Sequence, residues 1–103
     1  MKPRPGQILA SPVDTTTVIV VRAPDRDIDL TCAGVEMWDP RSGAQGPGGT
    51  ADPAQLTGTQ LGKRYADDEL GLELLCTKQG QGTIAVNGAP LPVLGPKTLP
   101  ASD

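Results

Sequence analysis

The chain has 103 residues, enough for one small domain, with 9 basic and 12 acidic side chains and a formal net charge of −3. Leu, Val and Ile together make 22 residues and Phe is absent, so any core is thin, though the low net charge keeps the chain on the folded side of the usual divide. Histidine is absent, which excludes Ser–His and Cys–His nucleophile pairs and His-ligated metal sites. The acidic balance, with one Trp and one Tyr, offers neither a basic stripe for phosphates nor a row of aromatics for stacking bases, so no nucleic-acid partner is expected.

Residues 1–13 read as an extended arm, with two prolines and a glycine in its first six positions. No apolar stretch follows Lys2 and Arg4 of the kind a secretory signal carries, and the longest apolar run, Val18-Ile19-Val20-Val21, is far below the ~20 residues that span a bilayer. A cytoplasmic setting without membrane association is therefore expected. The domain proper should occupy residues 14–94, interrupted by a flexible loop over 39–60, with an extended tail over 95–103.

The first strand is expected over 15–23, where three threonines precede the β-branched run and Pro24 ends it. Its continuous apolar character predicts cover on both faces. Residues 27–32 alternate polar and apolar, which places Ile28, Leu30 and Cys32 inward. Gly34 breaks the pattern, and 35–38 reads as a further short strand.

From 39 to 60 the chain carries three prolines, five glycines and one bulky apolar residue, Leu56. Such a segment buries too little to offset its ordering entropy, so it reads as disordered in isolation or as a docking loop ordered by a partner. A strand over 63–66 and a turn through Asp67-Asp68-Glu69 lead into a clearer element. Leu70, Leu72, Leu74 and Cys76 alternate along it and face inward. Ile84 and Val86 share that parity, which predicts a hairpin centred near Gly80.

Asn87-Gly88 is the strongest hairpin signal in the chain, because both central positions of a type I′ turn need positive φ. A two-residue turn pairs Val86 with Ala89, Ile84 with Leu91 and Gly82 with Val93, placing all the apolar members on one face. In that register Pro90 and Pro92 lack only donors that would point away from the partner, so they mark an edge and block further pairing there. No amphipathic helix of useful length emerges. The expected architecture is all-β, a small antiparallel sandwich or partly open barrel of six or seven short strands with a long Gly/Pro-rich loop.

Candidate chemistry is sparse. Cys32 and Cys76 each end an inward row and read first as small buried hydrophobes, with a disulfide or a thiol function as alternatives. Without His or a CxxC pair they make no four-ligand zinc site. Cys32, Trp38 and Cys76 occur in the order seen in antibody-like domains, but Trp38 lies only six residues after Cys32 and Tyr65 eleven before Cys76, which does not fit. Asp25, Asp27, Asp29 and Glu36 echo a calcium-loop spacing, yet Leu30 stands where the sharp turn needs Gly, and the acids read as one solvated face. Asp67, Asp68, Glu69 and Glu73 read as a solvated turn and its flank, and the glycines at 80 and 82 make no phosphate loop. No catalytic, cofactor or metal residue is assigned.

The expected function is accordingly a non-catalytic binding or accessory module. It would dock on a protein partner or a further copy of itself through its arms and loop, with Met37, Trp38 and Leu56 as contact residues. Trp38 could equally cap the small core. The alternative is a thiol-dependent enzyme or ligand carrier using Cys32 or Cys76 beside the Asp67–Glu73 carboxylates.

Overall fold

The structure, a computed structural model, describes residues 2–42 and 49–93. The expected tail over 95–103 and the middle of the Gly/Pro-rich loop lie outside the described residues. The fold is all-β, with eight short strands among the described residues: β1 (Ile8–Ala10), β2 (Thr17–Arg22), β3 (Leu30–Cys32), β4 (Val35–Glu36), β5 (Arg64–Asp67), β6 (Leu72–Lys78), β7 (Ile84–Val86) and β8 (Ala89–Pro90). A 3-10 turn spans Pro40–Ser42. The strands form two antiparallel four-stranded sheets, ordered β1-β2-β6-β5 and β4-β3-β7-β8.

Single bridges join the sheets at both flanks. At one, Ala10 and Trp38 exchange backbone hydrogen bonds of 2.8 and 3.1 Å. At the other, Tyr65 is bridged to Val93 and the Ala66 amide donates to the Pro92 carbonyl at 3.2 Å. The two expected architectures thus merge: a sandwich whose sides are stitched shut.

The alternation over 70–76 is realised as expected. Leu72, Leu74 and Cys76 are buried against Leu9, Val18 and Val20 of the same sheet and Leu30, Ile84 and Val86 of the other, while Leu70 packs at the margin. Ile28, Leu30 and Cys32 also face inward. The Asn87-Gly88 turn has φ of 50° and 86°, with Val86 opposite Ala89 and the Leu91 amide donating to the Ile84 carbonyl at 2.9 Å. Asn87 also latches the turn to Asp29, accepting that residue's amide on its side chain at 3.0 Å and donating its own to Asp29's carbonyl at 2.8 Å.

Several expectations are corrected. Residues 8–10 leave the presumed arm to form β1, paired with β2. Strand β2 is buried on one face only, since Val18 and Val20 are inward while Val21 is 38% exposed. Its unbroken apolar run reflects a central position between β1 and β6 rather than cover on both faces. Strands β6 and β7 are not a hairpin: they lie in different sheets, and 79–83 crosses between them. Shared parity was satisfied because facing sheets point the same residues at one interior. Finally, Ala89 and Val93 are exposed, and Val93 meets Tyr65 rather than Gly82. The chain leaves β7 after Leu91 to reach β5, so Pro92, which lacks a donor, still pairs through its carbonyl.

Leu74 is fully buried on β6, between β2 and β5. Leu74→Ala should destabilise the fold by about 2–5 kcal/mol, from lost transfer energy and a residual cavity. Urea unfolding gives the number, and a loss below about 1 kcal/mol would show that the core does not centre there.

Candidate functional site

The segment between the sheets' two halves of sequence is held by hydrogen bonds where composition predicted none. The Asp52 amide donates to the Ala33 carbonyl at 2.8 Å, and the Asp52 side chain turns the chain by accepting the Ala54 amide at 2.9 Å. Residues 55–59 then run antiparallel to 80–83. Thr83 donates its amide to the Gln55 carbonyl at 2.9 Å, and Thr59 and Gly80 exchange amide-to-carbonyl bonds of 3.0 and 3.1 Å. Threonine hydroxyls complete the seam. Thr59 Oγ1 donates to the Gly82 carbonyl at 2.7 Å, the Thr57 and Thr83 hydroxyls lie 2.7 Å apart, and Thr83 Oγ1 accepts the Thr57 amide at 3.0 Å. The Gln60 amide ends the run on Tyr65 Oη at 2.9 Å.

This seam separates two clefts that share Thr57, Gly58 and Gln60. The larger, of about 370 Å³, lies between 57–60 and 79–81, with Thr15 at its margin. The smaller, of about 280 Å³, is floored by Tyr65, Ile84 and Leu91 and rimmed by Pro90 and Val93. Among the described residues no charged side chain lines either cleft. The described residues leave four large aliphatic side chains exposed: Val21, Leu56, Leu61 and Val93. Val93 (49% exposed) lines the smaller cleft and also a further one beside Asp67, Asp68 and Glu69, whereas Leu56 (44%) and Leu61 (59%) line neither of the two and only adjoin Thr57 and Gln60 in sequence.

Beneath the larger cleft, a polar pin connects the sheets. Asp14, in the loop between β1 and β2, accepts the Gly82 amide on Oδ2 at 2.6 Å and the Thr16 amide on Oδ1 at 2.9 Å. Ser11 Oγ supports that loop by accepting the Val13 and Asp14 amides at 3.2 and 3.3 Å. A side chain at position 82 would collide with Cys32 Sγ and crowd the Asp14 carboxylate, so the approach requires glycine. Burial opposes the Asp14 charge, but the Thr16 and Gly82 amides outweigh it and hold the carboxyl below its ordinary value of 3.8.

Both cysteines are free and buried. Burial pushes the Cys32 thiol up, the nearby Asp14 charge adds to this, and the Ser11 and Thr16 hydroxyls offset part of it; Cys32 Sγ lies 3.9 Å from Asp14 Oδ1. Burial likewise raises Cys76, whose thiol donates to the Lys78 carbonyl at 3.1 Å. The structure does not bring the thiols and the acidic cluster together. Glu73 points to the outer face of β6, opposite Cys76, and pairs with Arg22 and Arg64 at 3.4 and 3.2 Å. Asp67 spends its carboxylate on the Glu69 and Leu70 amides of its own turn. Among the described residues no group of three or more His, Cys, Asp or Glu side chains is placed to hold a metal.

Of the expected contact residues, Leu56 is exposed but lines neither cleft. Met37 is instead a core residue, 1% exposed, because its amide extends the β3–β4 pairing to the Leu30 carbonyl and turns the side chain inward. Trp38 is half-buried at the flank bridge and lines neither cleft. Sequence reasoning missed Asp14, Thr57, Thr59 and Thr83. Their one legible signal is the pair of glycine-punctuated tripeptides, Thr57-Gly58-Thr59 and Gly80-Gln81-Gly82. Comparison with protein-family models, curated proteins and solved structures gives no match. No helix among the described residues is long and apolar enough to cross a membrane.

Two outcomes are expected. Asp14→Ala should cost about 1.5–3 kcal/mol, the scale of hydrogen bonds to a charged acceptor. Because the folded-state pKa is depressed, that contribution is complete above the ordinary carboxyl value of 3.8 and is lost as pH falls through the folded value. Urea midpoints of wild type and variant should therefore converge in acid; a gap of constant size from pH 6 to pH 2.5 would contradict the assignment. Second, a disulfide-exchange reagent should titrate neither thiol until the chain is unfolded, and rapid labelling in native buffer would contradict the burial.

Proposed function

We propose that this chain is a non-catalytic binding module that docks on a protein partner through the 56–61 ridge and its two flanking clefts. The observation that carries this is that Leu56 and Leu61 stand exposed at the two ends of a hydrogen-bonded ridge whose residues 57–60 line two clefts without a charged side chain among the described residues. Exposed aliphatics beside hydroxyls and amides make a surface that gains by being covered, at about 1.5–3 kcal/mol for each large side chain fully buried. The ridge is held to 80–83 by backbone and threonine bonds, so little ordering entropy is lost when a partner covers it.

The thiol-dependent alternative loses its support. Both thiols are buried and raised, and the carboxylates meant to assist them turn to the other face of β6 or into their own turn. Two free cysteines support a reducing, cytoplasmic setting. A second copy of the chain is the other occupant to distinguish from a different protein.

The test is capture from the source cells, with light scattering of the purified chain, for wild type and for Leu56→Asp with Leu61→Asp. The double variant should keep the wild-type melting temperature and lose at least tenfold in partner capture or self-association. Equal capture by both proteins would remove the ridge from the interface. A wild-type chain that is monomeric and captures nothing would remove the proposal.

A further inference from the structure

Resting on that reading of the ridge, we infer that 55–60 and 79–83 form a two-stranded flap that opens as a unit. It is latched to the domain by Asp14 and Thr15, it covers Cys32, and docking uses only its closed form. The flap has no apolar anchor. None of its side chains belongs to the buried hydrophobic core: it is made of glutamine, threonine and glycine, with the exposed Leu56. What holds it is polar. Its two runs bond to each other along the threonine seam. Toward the domain, Asp14 Oδ2 accepts the Gly82 amide at 2.6 Å and Thr15 Oγ1 donates to the Gln79 carbonyl at 2.6 Å. The Ala33 amide donates to the Thr83 carbonyl at 3.0 Å, and the Gln60 amide to Tyr65 Oη at 2.9 Å. A segment held by hydrogen bonds without buried apolar contacts lies at the low end of local stability and opens before the core does.

The underside of the flap points the same way. Among the described residues, the buried side-chain oxygens without a hydrogen-bond partner are Thr16 Oγ1 and Gln55 Oε1. Gly80 lies so close over Thr16 Oγ1 that a Cβ there would collide with it, and Gln55 is the first residue of the flap. Closure thus leaves two oxygens unpaired, a cost that is returned when lifting lets water reach them. Gly82 covers Cys32 Sγ as Gly80 covers Thr16, so the crossing shields a thiol that is otherwise part of the interior. Cys76 is as deeply buried, but on β6 between β2 and β5, where it opens only with the core. The two cysteines therefore report on two different openings. A partner that covers the ridge binds the closed flap and, by linkage, holds it shut.

The experiment labels folded protein with a disulfide-exchange reagent at neutral pH. Cys32 and Cys76 are read separately by peptide mass spectrometry, each rate being divided by its rate in the unfolded chain. In wild type both thiols should stay silent. Cys32 should label about tenfold faster than Cys76 in Asp14→Ala, and about threefold faster in Thr15→Val, a milder change at an exposed position. Equal rates for the two thiols in both variants would mean that opening is global and would overturn the inference, as would rapid labelling of Cys32 in wild type, which would show that nothing latches the flap. Asp14→Ala held in its captured complex should label at Cys32 at least threefold more slowly than the free variant; equal rates would sever the flap from docking. If the thiols stay equal while capture still depends on Leu56 and Leu61, the flap falls and the docking surface stands. If Cys32 opens first while capture ignores Leu56 and Leu61, the docking surface falls and only the flap's opening survives.

Discussion

The Asp14 carboxylate ties the two sheets together at the place where the chain crosses between them. It projects from the loop before β2 and holds the amide of Gly82, two residues ahead of β7 in the other sheet, while Cys32 of β3 packs against the same point. A crossing segment is where a small sandwich is weakest, because its amides have left one ladder and not yet joined the next. One charged acceptor with two short bonds satisfies that need, and the glycine at 82 is the condition for reaching it. The seam of threonine hydroxyls above it then has a fixed edge to align against. The clefts follow from the pin.

The same economy governs the margins. Four-stranded sheets leave two edges each, and exposed edges invite pairing with other chains. Here the Ala10–Trp38 bridge occupies one flank and the Pro92 carbonyl the other, so two short contacts answer most of the hazard. With one Tyr, one Trp and no Phe, the interior has few large side chains to spend on rigidity. Backbone closure at the flanks supplies constraint that a larger core would otherwise provide.

What could be read in advance was local. The Asn-Gly turn and the even-numbered rows from Leu72 to Cys76 depend on residues within a few positions of each other, and both stand as expected. What failed was choice of partner. Period-2 alternation says which way a side chain points relative to its own strand, not which strand lies alongside. Hence Ile84 shares an interior with Leu74 across the sandwich rather than beside it in one sheet. Strand β1 escaped notice because three residues give no period, and Met37 because the tight Ala33-Gly34 turn, with φ of 54° and 80°, is unusual for a buried alanine. The site was the least legible part. Thr59, Thr83 and Asp14 act through tertiary hydrogen bonds across 23, 26 and 68 positions of sequence, and no composition rule registers those.

On the proposed docking role, the lack of charged side chains among the described residues lining the two clefts bears on how so small a surface would hold a partner. In a rim of mixed charges, part of the gain from covering aliphatics is returned as the cost of stripping water from ions that end imperfectly paired. Many of its ions lie on other surfaces, such as the Arg22–Glu73–Arg64 group on the outer face of β6 and the exposed Asp25, Asp27 and Asp29, while Asp67, Asp68 and Glu69 share a cleft with Val93. Under that proposal, threonine and glutamine around the ridge could surrender water and recover equivalent bonds from a neutral main chain, so that most of the gain from covering Leu56 and Leu61 would go into affinity. On that proposal a small domain with a thin core would bind without exposing a broad apolar face.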